Sequence, residues 1–215
     1  MSRSPRLPAL AVLSACALLV GCGMIATGAV ALGRNPEKRI KALYNPSGKA
    51  VAVIPFAYEE HRPFETEHGL VLADTVEREL LARVKKVRIV PVGKARNYFT
   101  DTPPAEVDPK VVAEMLGADV VITGQIRSVR LADNLDHMDA ELRVEAYDER
   151  ASAIILKETL SARYPEGHSF SPTELDRQEA VRGVVIAAGR AVARLFYDHS
   201  VRNIPTSDVH GGAIK

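Results

Sequence analysis

Residues 113–126, AEMLGADVVITGQI, decide the fold of this 215-residue chain. Gly117 follows a short apolar helical pattern and predicts its end, because glycine readily takes the left-handed conformation that closes a helix. Asp119 can accept backbone hydrogen bonds in the turn that follows. Residues 120–122 are an apolar, β-branched run that predicts a strand buried in the core. A helix therefore leads directly into a central strand.

Two strands and a longer helix are predicted before this junction. Residues 50–56, AVAVIPF, form an apolar run bounded by Gly48 and a polar stretch, which is typical of a buried strand. From residue 69 to 84 apolar residues recur at spacings of three and four, which predicts an amphipathic helix of about four turns. Residues 87–92, VRIVPV, predict a second strand, and Pro91 belongs at a sheet edge or at the strand end.

The remaining elements follow from capping and alternation. Asp108 and Pro109 predict an N-cap and a proline in the first turn of the short helix. Residues 138–146 alternate apolar and charged side chains, which predicts a half-buried antiparallel strand, and residues 153–164 are its hairpin partner. Residues 172–199 carry a helical apolar stripe. The order β-α-β-α-β-β-β-α predicts an α/β (α+β) domain, a mixed sheet of about five strands with helices packed on it.

The first residues predict export from the cytoplasm. Arg3 and Arg6 are the only charged side chains before Arg34, and a mainly apolar run follows them. A basic start before an apolar run is typical of an export signal. The run reaches Leu19-Val20-Gly21-Cys22, which resembles the lipobox of bacterial lipoproteins and fits it better than the sequence before Cys16. The resemblance implies cleavage before Cys22 and a diacylglycerol on its thiol.

A second interpretation of this segment stays open. Residues 7–33 remain uncharged beyond Cys22 and are long enough to span a bilayer as an uncleaved helix, although their glycines weaken it. Both interpretations place the rest of the chain outside the cytoplasm on a membrane, facing the periplasm. We predict a lipoprotein signal peptide at 1–21, a lipid anchor and tether at 22–49, the α/β domain at 50–200 and a flexible tail at 201–215.

Composition excludes several classes of protein. The chain has 28 Lys and Arg against 27 Asp and Glu, a net charge of +1, which argues against a dedicated nucleic-acid-binding protein. Two cysteines exclude a disulfide framework and a cysteine-based zinc site. The basic tether at 34–49 is favoured as a solvated linker, and a patch for anionic lipid or nucleic acid is the alternative.

Two groups of metal-ligating residue types occur, and neither has the spacing of a known site. One lies in HRPFETEH and comprises His61, Glu65, Glu67 and His68. The other recurs every three residues and comprises Asp133, Asp136 and Asp139. Because zinc-protease and EF-hand spacings are missing, a charged loop and a polar hairpin tip are favoured. No metal or cofactor is expected.

No catalytic motif is present either. The Gly-x-Ser-x-Gly nucleophile turn and the glycine-rich nucleotide loops are absent from the sequence. We therefore expect a non-enzymatic protein that acts through its surface. The loop after the first strand is the predicted partner site, because the carboxyl ends of strands commonly carry binding loops. Its residues are Glu59, Glu60, His61, Arg62 and Phe64, and the alternative is a solvated loop with Phe64 packed into the domain.

Three segments together resemble a known superfamily. The strand AVAVIPF at 50–56, the LGADVVITG junction at 116–124 and the hairpin around 146–148 are similar to the superfamily of the TolB N-terminal domain, the globular part of CsgG, and LpoB. The chain departs from the family where a glycine usually forms the hairpin turn, since residues 148–152 read DERAS. It also has no propeller and no further pair of membrane-spanning strands.

The resemblance implies a stand-alone envelope domain. It favours a lipid-anchored, non-catalytic binding or regulatory scaffold in cell-envelope biogenesis, either in peptidoglycan synthesis or in outer-membrane assembly. The implied partners are the membrane, through Cys22, and an envelope protein. One alternative is a ring-forming subunit of a CsgG-like secretion apparatus, for which a homo-oligomer would be required. The other is a hydrolase without a recognisable motif.

Overall fold

The computed structural model describes residues 37–59, 67–95, 98, 102, 107–132, 137–165 and 177–202. It divides into two compact units, residues 41–199 and the residues on either side of them. In the smaller unit the described part is a two-stranded sheet of β1 (Glu37–Ile40) and β8 (His199–Arg202). The predicted signal peptide, Cys22 and the tail beyond Arg202 lie outside the described residues and stay predictions.

The larger unit is built on a mixed six-stranded sheet. Its strands are β2 (Ala50–Val53), β3 (Ala57–Tyr58), β4 (Arg88–Ile89), β5 (Val120–Leu131), β6 (Met138–Asp148) and β7 (Ala153–Tyr164). The order is β4-β2-β5-β6-β7, and β3 also pairs with β5. Strand β2 is parallel to β4 and β5, whereas β5, β6 and β7 are antiparallel neighbours. The predicted mixed α/β architecture is confirmed.

Helices cover the two faces of this sheet unequally. The long helices α1 (Glu67–Arg83) and α3 (Arg177–Arg194) pack on one face, which we call the inner face, and bury the larger core. The short helix α2 (Pro109–Leu116) and a 3-10 turn (Val92–Ala95) pack on the outer face and bury a smaller core. No helix within the described residues is long and apolar enough to cross a bilayer.

The junction around α2 forms as the sequence predicts. The Asp108 side chain accepts a hydrogen bond from the Lys110 amide at 2.9 Å and caps the helix. Gly117 ends the helix with a φ of 63°, a left-handed conformation that glycine takes at little cost. Asp119 accepts a hydrogen bond from the Ala50 amide at 2.7 Å. The turn therefore fixes the start of β5 beside the start of β2.

Several boundaries differ from those that the pattern suggests. The strand predicted at 50–56 ends at Val53, and the helix predicted at 172–199 ends at Arg194. The strand predicted at 87–92 is only Arg88–Ile89, because it lies at the sheet edge and the chain turns into the 3-10 helix just after Pro91. The compact unit begins at Lys41, so the last residues of the predicted tether are packed within it. The amides of Leu43 and Tyr44 both donate to the Leu195 carbonyl, at 2.8 and 3.2 Å.

Candidate functional site

The open part of the outer face is the main polar surface of the described chain. Along β6, side chains alternate between buried apolar residues on the inner face and half-buried polar residues on the outer face. The short helix α2 packs chiefly over β5, so the outer face of β6 and β7 is less covered. We call this surface the charged face. Its members are Gln125, Arg127, Asp139, Glu141, Arg143, Glu145, Lys157, Thr159 and Arg163.

Ion pairs join the strands across the charged face. Lys157 lies 2.9 Å from Glu145, Arg163 lies 3.2 Å from Asp139, and Arg127 lies 2.7 Å from Glu141. All of these side chains keep about a quarter or more of their surface in solvent. Exposed ion pairs of this kind contribute about 0–1 kcal/mol each. The charged face therefore adds little to the stability of the fold. An antiparallel sheet can have one polar, solvated face of this kind.

The predicted partner loop begins beside the charged face. Glu59 is exposed, and its carboxylate accepts a hydrogen bond from Arg127 Nε at 3.2 Å. Tyr58 and His68, on either side of the loop, are joined at 2.7 Å between the tyrosine hydroxyl and the imidazole Nδ1. The other predicted residues, Glu60, His61, Arg62 and Phe64, lie outside the described residues. Their role in binding stays a prediction.

Two concave surfaces lie on this unit. A cavity of about 230 Å³ opens between the start of α2 and the charged face, where Thr123, Gln125, Arg143 and Glu145 contribute polar side chains. A larger groove of about 720 Å³ runs between the first turns of α1 and α3, and His68, Glu179 and Arg182 are among its lining residues. Both surfaces mix acidic and basic groups, so neither selects a ligand of one charge.

Only Glu67, His68 and Asp139 of the two sequence clusters lie within the described residues. Across all the described residues no group of three or more His, Cys, Asp or Glu side chains is placed to hold a metal ion. His68 is hydrogen-bonded to Tyr58, and Asp139 pairs with His137 and Arg163. His61, Glu65, Asp133 and Asp136 lie outside the described residues.

A buried polar cluster joins the start of the unit to the hairpin of β6 and β7. Asp148 Oδ2 accepts hydrogen bonds from the Tyr44 hydroxyl and from Lys49 Nζ, each at 2.5 Å. Lys49 Nζ also lies 2.5 Å from the Tyr44 hydroxyl. The Asp148 side chain is 7% exposed, so this is a buried ion pair with its lone pairs satisfied.

The pKa values of the three groups in this cluster all move away from neutrality. Burial opposes ionisation of Asp148, but the bonds from Lys49, Tyr44 and the Ala151 amide outweigh it and hold the pKa at about 2. Bonding to Asp148 and Tyr44 raises the pKa of Lys49, although burial opposes it. Burial, followed by the bond to Asp148, raises the pKa of Tyr44. An acid–base catalyst needs a pKa near the working pH, and all three groups move away from neutrality.

The same aspartate builds the hairpin turn. Asp148 Oδ1 accepts hydrogen bonds from the amides of Arg150 and Ala151, at 2.9 and 3.2 Å. Ser152 takes the left-handed conformation, with a φ of 47°, that a glycine would adopt more easily. An aspartate-anchored turn therefore closes this hairpin without a glycine. The sequence predicts the turn after Asp148, but it does not predict the contact of Asp148 with Tyr44 and Lys49.

Sequence comparisons leave the chain unassigned. No protein-family model matches it, and no curated protein sequence matches it significantly.

Solved structures show a distant likeness. The hypothetical protein CT253 from Chlamydia trachomatis is 21% identical over 69% of this chain and 97% of its own, with a TM-score of 0.39. The PelC dodecamer from Paraburkholderia phytofirmans is 15% identical over 75% and 97%, with a TM-score of 0.43. Lipoprotein GNA1162 from Neisseria meningitidis is 15% identical over 58% and 86%, with a TM-score of 0.41.

A TolB and an LpoB domain are also among the similar structures. TolB from Acinetobacter baumannii and the LpoB C-terminal domain from Salmonella enterica have TM-scores of 0.35 and 0.36. The set therefore includes bacterial lipoproteins and a TolB. At such identities and TM-scores the likeness assigns no function to this chain.

Proposed function

We propose that this protein is a membrane-tethered, non-catalytic binding module of the bacterial cell envelope. The export signal and the Leu19-Val20-Gly21-Cys22 motif support the tether, with Cys22 as the acylated residue. The observation that carries the binding role is the charged face, a polar surface held on a rigid sheet and contributing little to stability. Peptidoglycan synthesis and outer-membrane assembly are the processes in which we place it.

The non-catalytic assignment rests on where the polar groups are used. The buried cluster of Tyr44, Lys49 and Asp148 is fully bonded, and its pKa values move away from neutrality. A catalytic constellation would instead present a nucleophile or base with a pKa near the working pH. The charged face fits a protein partner of mixed charge, because it presents arginine, lysine and carboxylate side chains side by side.

The tether is tested at the cysteine. Substituting Cys22→Ala should block lipid attachment and signal cleavage, and leave an unprocessed precursor in the membrane. Metabolic labelling with a fatty-acid probe measures attachment directly. Wild-type protein that takes up no probe would favour the uncleaved anchor, and loss of membrane association in wild type would contradict the tether.

The binding role is tested by reversing charge on the charged face. The variant Arg143→Glu with Lys157→Glu should keep its melting temperature and lose the partner that wild type recovers from detergent-solubilised envelopes. The matched control reverses Arg182 and Arg190, which are exposed on α3. Equal recovery by both variants would remove the charged face as the binding site. A native mass many times that of the chain, with no other protein present, would favour the ring-forming alternative.

A further inference from the structure

One end of the sheet, where β2 begins, gathers several segments that are distant in sequence. The Leu43 amide donates to the Leu195 carbonyl just after α3, and the Ser47 hydroxyl donates to the Lys85 carbonyl just after α1. The hairpin of β6 and β7 turns at the same end, since the Glu149 amide donates to the Asp119 carbonyl. The chain reaches the larger unit here, at Lys41.

Exposed basic side chains are concentrated at this end. We call the set the basic end, and it comprises Lys41, Arg83, Lys85, Lys86, Arg88 and Arg150. The exposed carboxylates described nearby are Asp198, which pairs with Lys41 at 3.1 Å, and Glu114 in the last turn of α2. Asp119 and Glu149 are half-buried, and the half-buried Glu79 lies 4.0 Å from Arg83. Asp148 is buried and bonded to Lys49, so it presents no charge to solvent. Basic groups therefore outnumber exposed acidic ones.

The helix ends do not account for this excess. Helices α1, α2 and α3 all end here, and each helix C-terminus carries the equivalent of about −0.5 charge. The three C-termini together carry about −1.5 charge, which is smaller in magnitude than the excess of exposed basic over exposed acidic side chains. The whole chain carries a net charge of only +1, so the basic end is a local feature and not a general property of the surface. At the opposite end, the first turns of α1 and α3 expose Glu67 and Glu179.

Two large apolar side chains lie exposed among these basic groups. Leu43 is 62% exposed, and Leu81, in the last turn of α1, is 56% exposed. Basic residues beside exposed leucines are the combination by which peripheral proteins hold a lipid surface, since the charges meet headgroups and the leucines enter the interface.

We propose that the basic end lies against an anionic phospholipid surface and orients the domain on the membrane. This inference rests on the membrane tether of the proposed function. The 19 positions from Cys22 to Lys41 would span up to about 65 Å when extended, so the anchor leaves the domain free to reach the bilayer. An acyl anchor and a basic patch are the two signals that together give stable membrane attachment. The charged face, on the side of the sheet, would then remain open to a protein partner.

The test measures which end of the unit approaches the lipid. Mature protein carries Cys22 alone among cysteines, and that thiol is acylated, so one introduced cysteine can be labelled uniquely. A dye at Ala82→Cys reports the basic end, and a dye at Gln178→Cys reports the opposite end; both positions are exposed. The protein is reconstituted into vesicles of phosphatidylcholine, with or without phosphatidylglycerol, that contain a headgroup-labelled energy acceptor.

We expect energy transfer from residue 82 to exceed that from residue 178 in phosphatidylglycerol vesicles, and salt to abolish the difference. The variant Lys85→Glu, Lys86→Glu, Arg88→Glu should abolish it without salt, since each basic residue near an anionic surface changes partitioning on the order of fivefold. The control variant Lys110→Glu, Arg130→Glu, Arg182→Glu carries the same charge change elsewhere and should behave as wild type.

The outcomes separate this inference from the tether on which it rests. Protein that attaches to both kinds of vesicle, with equal transfer from residues 82 and 178, would overturn the orientation and leave the tether standing. Protein that attaches to neither would overturn both. If the triple variant shows no melting transition, the salt dependence of energy transfer in the wild-type protein tests the orientation instead. Salt screens the headgroup contact without altering the fold.

Discussion

The inner and outer faces of the sheet are made from alternate residues of the same strands, yet they have opposite characters. On β6, Leu142 is fully buried beneath α3, whereas its neighbour Arg143 points to the outer face and stays partly in solvent. Two long helices cover the inner face, and the eight residues of α2 cover only part of the outer one. The covering element, and not the strand, decides which face becomes core.

The outer face itself changes character along β5. Val121 is fully buried beneath α2, and Thr123 and Gln125, the next residues on that face, are partly exposed. The sequence changes from apolar to polar where the cover of α2 ends. The two faces therefore differ as covered and uncovered sheet do, and four experiments can break or sharpen this comparison.

The largest effect is expected where a charge enters a covered surface. Val121→Asp on the outer face and Leu142→Asp on the inner face should each cost more than about 4 kcal/mol, because a carboxylate would be buried without a partner. That is a large part of a total stability of about 5–15 kcal/mol, so neither variant should show a cooperative thermal transition. Arg143→Ala, one residue from Leu142, should shift stability by about 0.5 kcal/mol or less. A cooperatively melting Val121→Asp protein would show that α2 does not cover this face.

The next effect concerns the buried ion pair at the end of the inner face. Asp148→Asn should cost about 3 kcal/mol, since Lys49 would keep its charge without a buried partner. The pKa of Asp148 is lowered from 3.8 to about 2 in the folded protein. Its stabilisation is therefore present above pH 3.8 and is lost as the pH falls through 2, by about 2 kcal/mol in all. Denaturant unfolding of both proteins between pH 2 and pH 7 measures this, and a difference independent of pH would contradict it.

A third substitution tests how tightly the inner helices pack. A Cβ at Gly189 on α3 would lie 2.8 Å from Thr75 Cβ and 3.0 Å from the Leu72 carbonyl on α1. Gly189→Ala should therefore destabilise the protein by about 1–3 kcal/mol, although alanine is the better helix former by about 1 kcal/mol. Gly93→Ala, in the 3-10 turn on the outer side, meets nothing within 4 Å and should be nearly neutral. Equal melting temperatures for the two variants would mean that α1 and α3 can separate at little cost.

The smallest effect belongs to the charged face. A double-mutant cycle on Glu145 and Lys157 should give a coupling of about 0.2–1 kcal/mol that disappears at high salt, since both side chains are partly solvated. Urea denaturation of wild type, both single alanine variants and the double variant measures the coupling. A salt-independent value above that range would show that this face is buried against something in the folded protein.

The sequence by itself determined much of the fold because the decisive signals are local. The Asp108 cap, the Gly117 stop and the alternation along 138–146 depend on neighbouring residues, and all three appear in the structure. The prediction that residue 121 lies buried on a central strand is likewise confirmed, since Val121 pairs with Ala52 and Tyr147 on neighbouring strands and is fully buried.

Only the tertiary structure decided how the polar groups are distributed. Tyr44 and Lys49 meet Asp148 across about a hundred residues, and no spacing rule can bring such positions together because their contact depends on strand order. The basic end is only partly visible in the sequence, since residues 83–88 read RVKKVR but Lys41 and Arg150 come from distant segments. The hydrogen bonds of a turn join residues that are close in sequence, so local geometry determines them. The charge of a surface depends on which distant segments the packed helices and strands bring together.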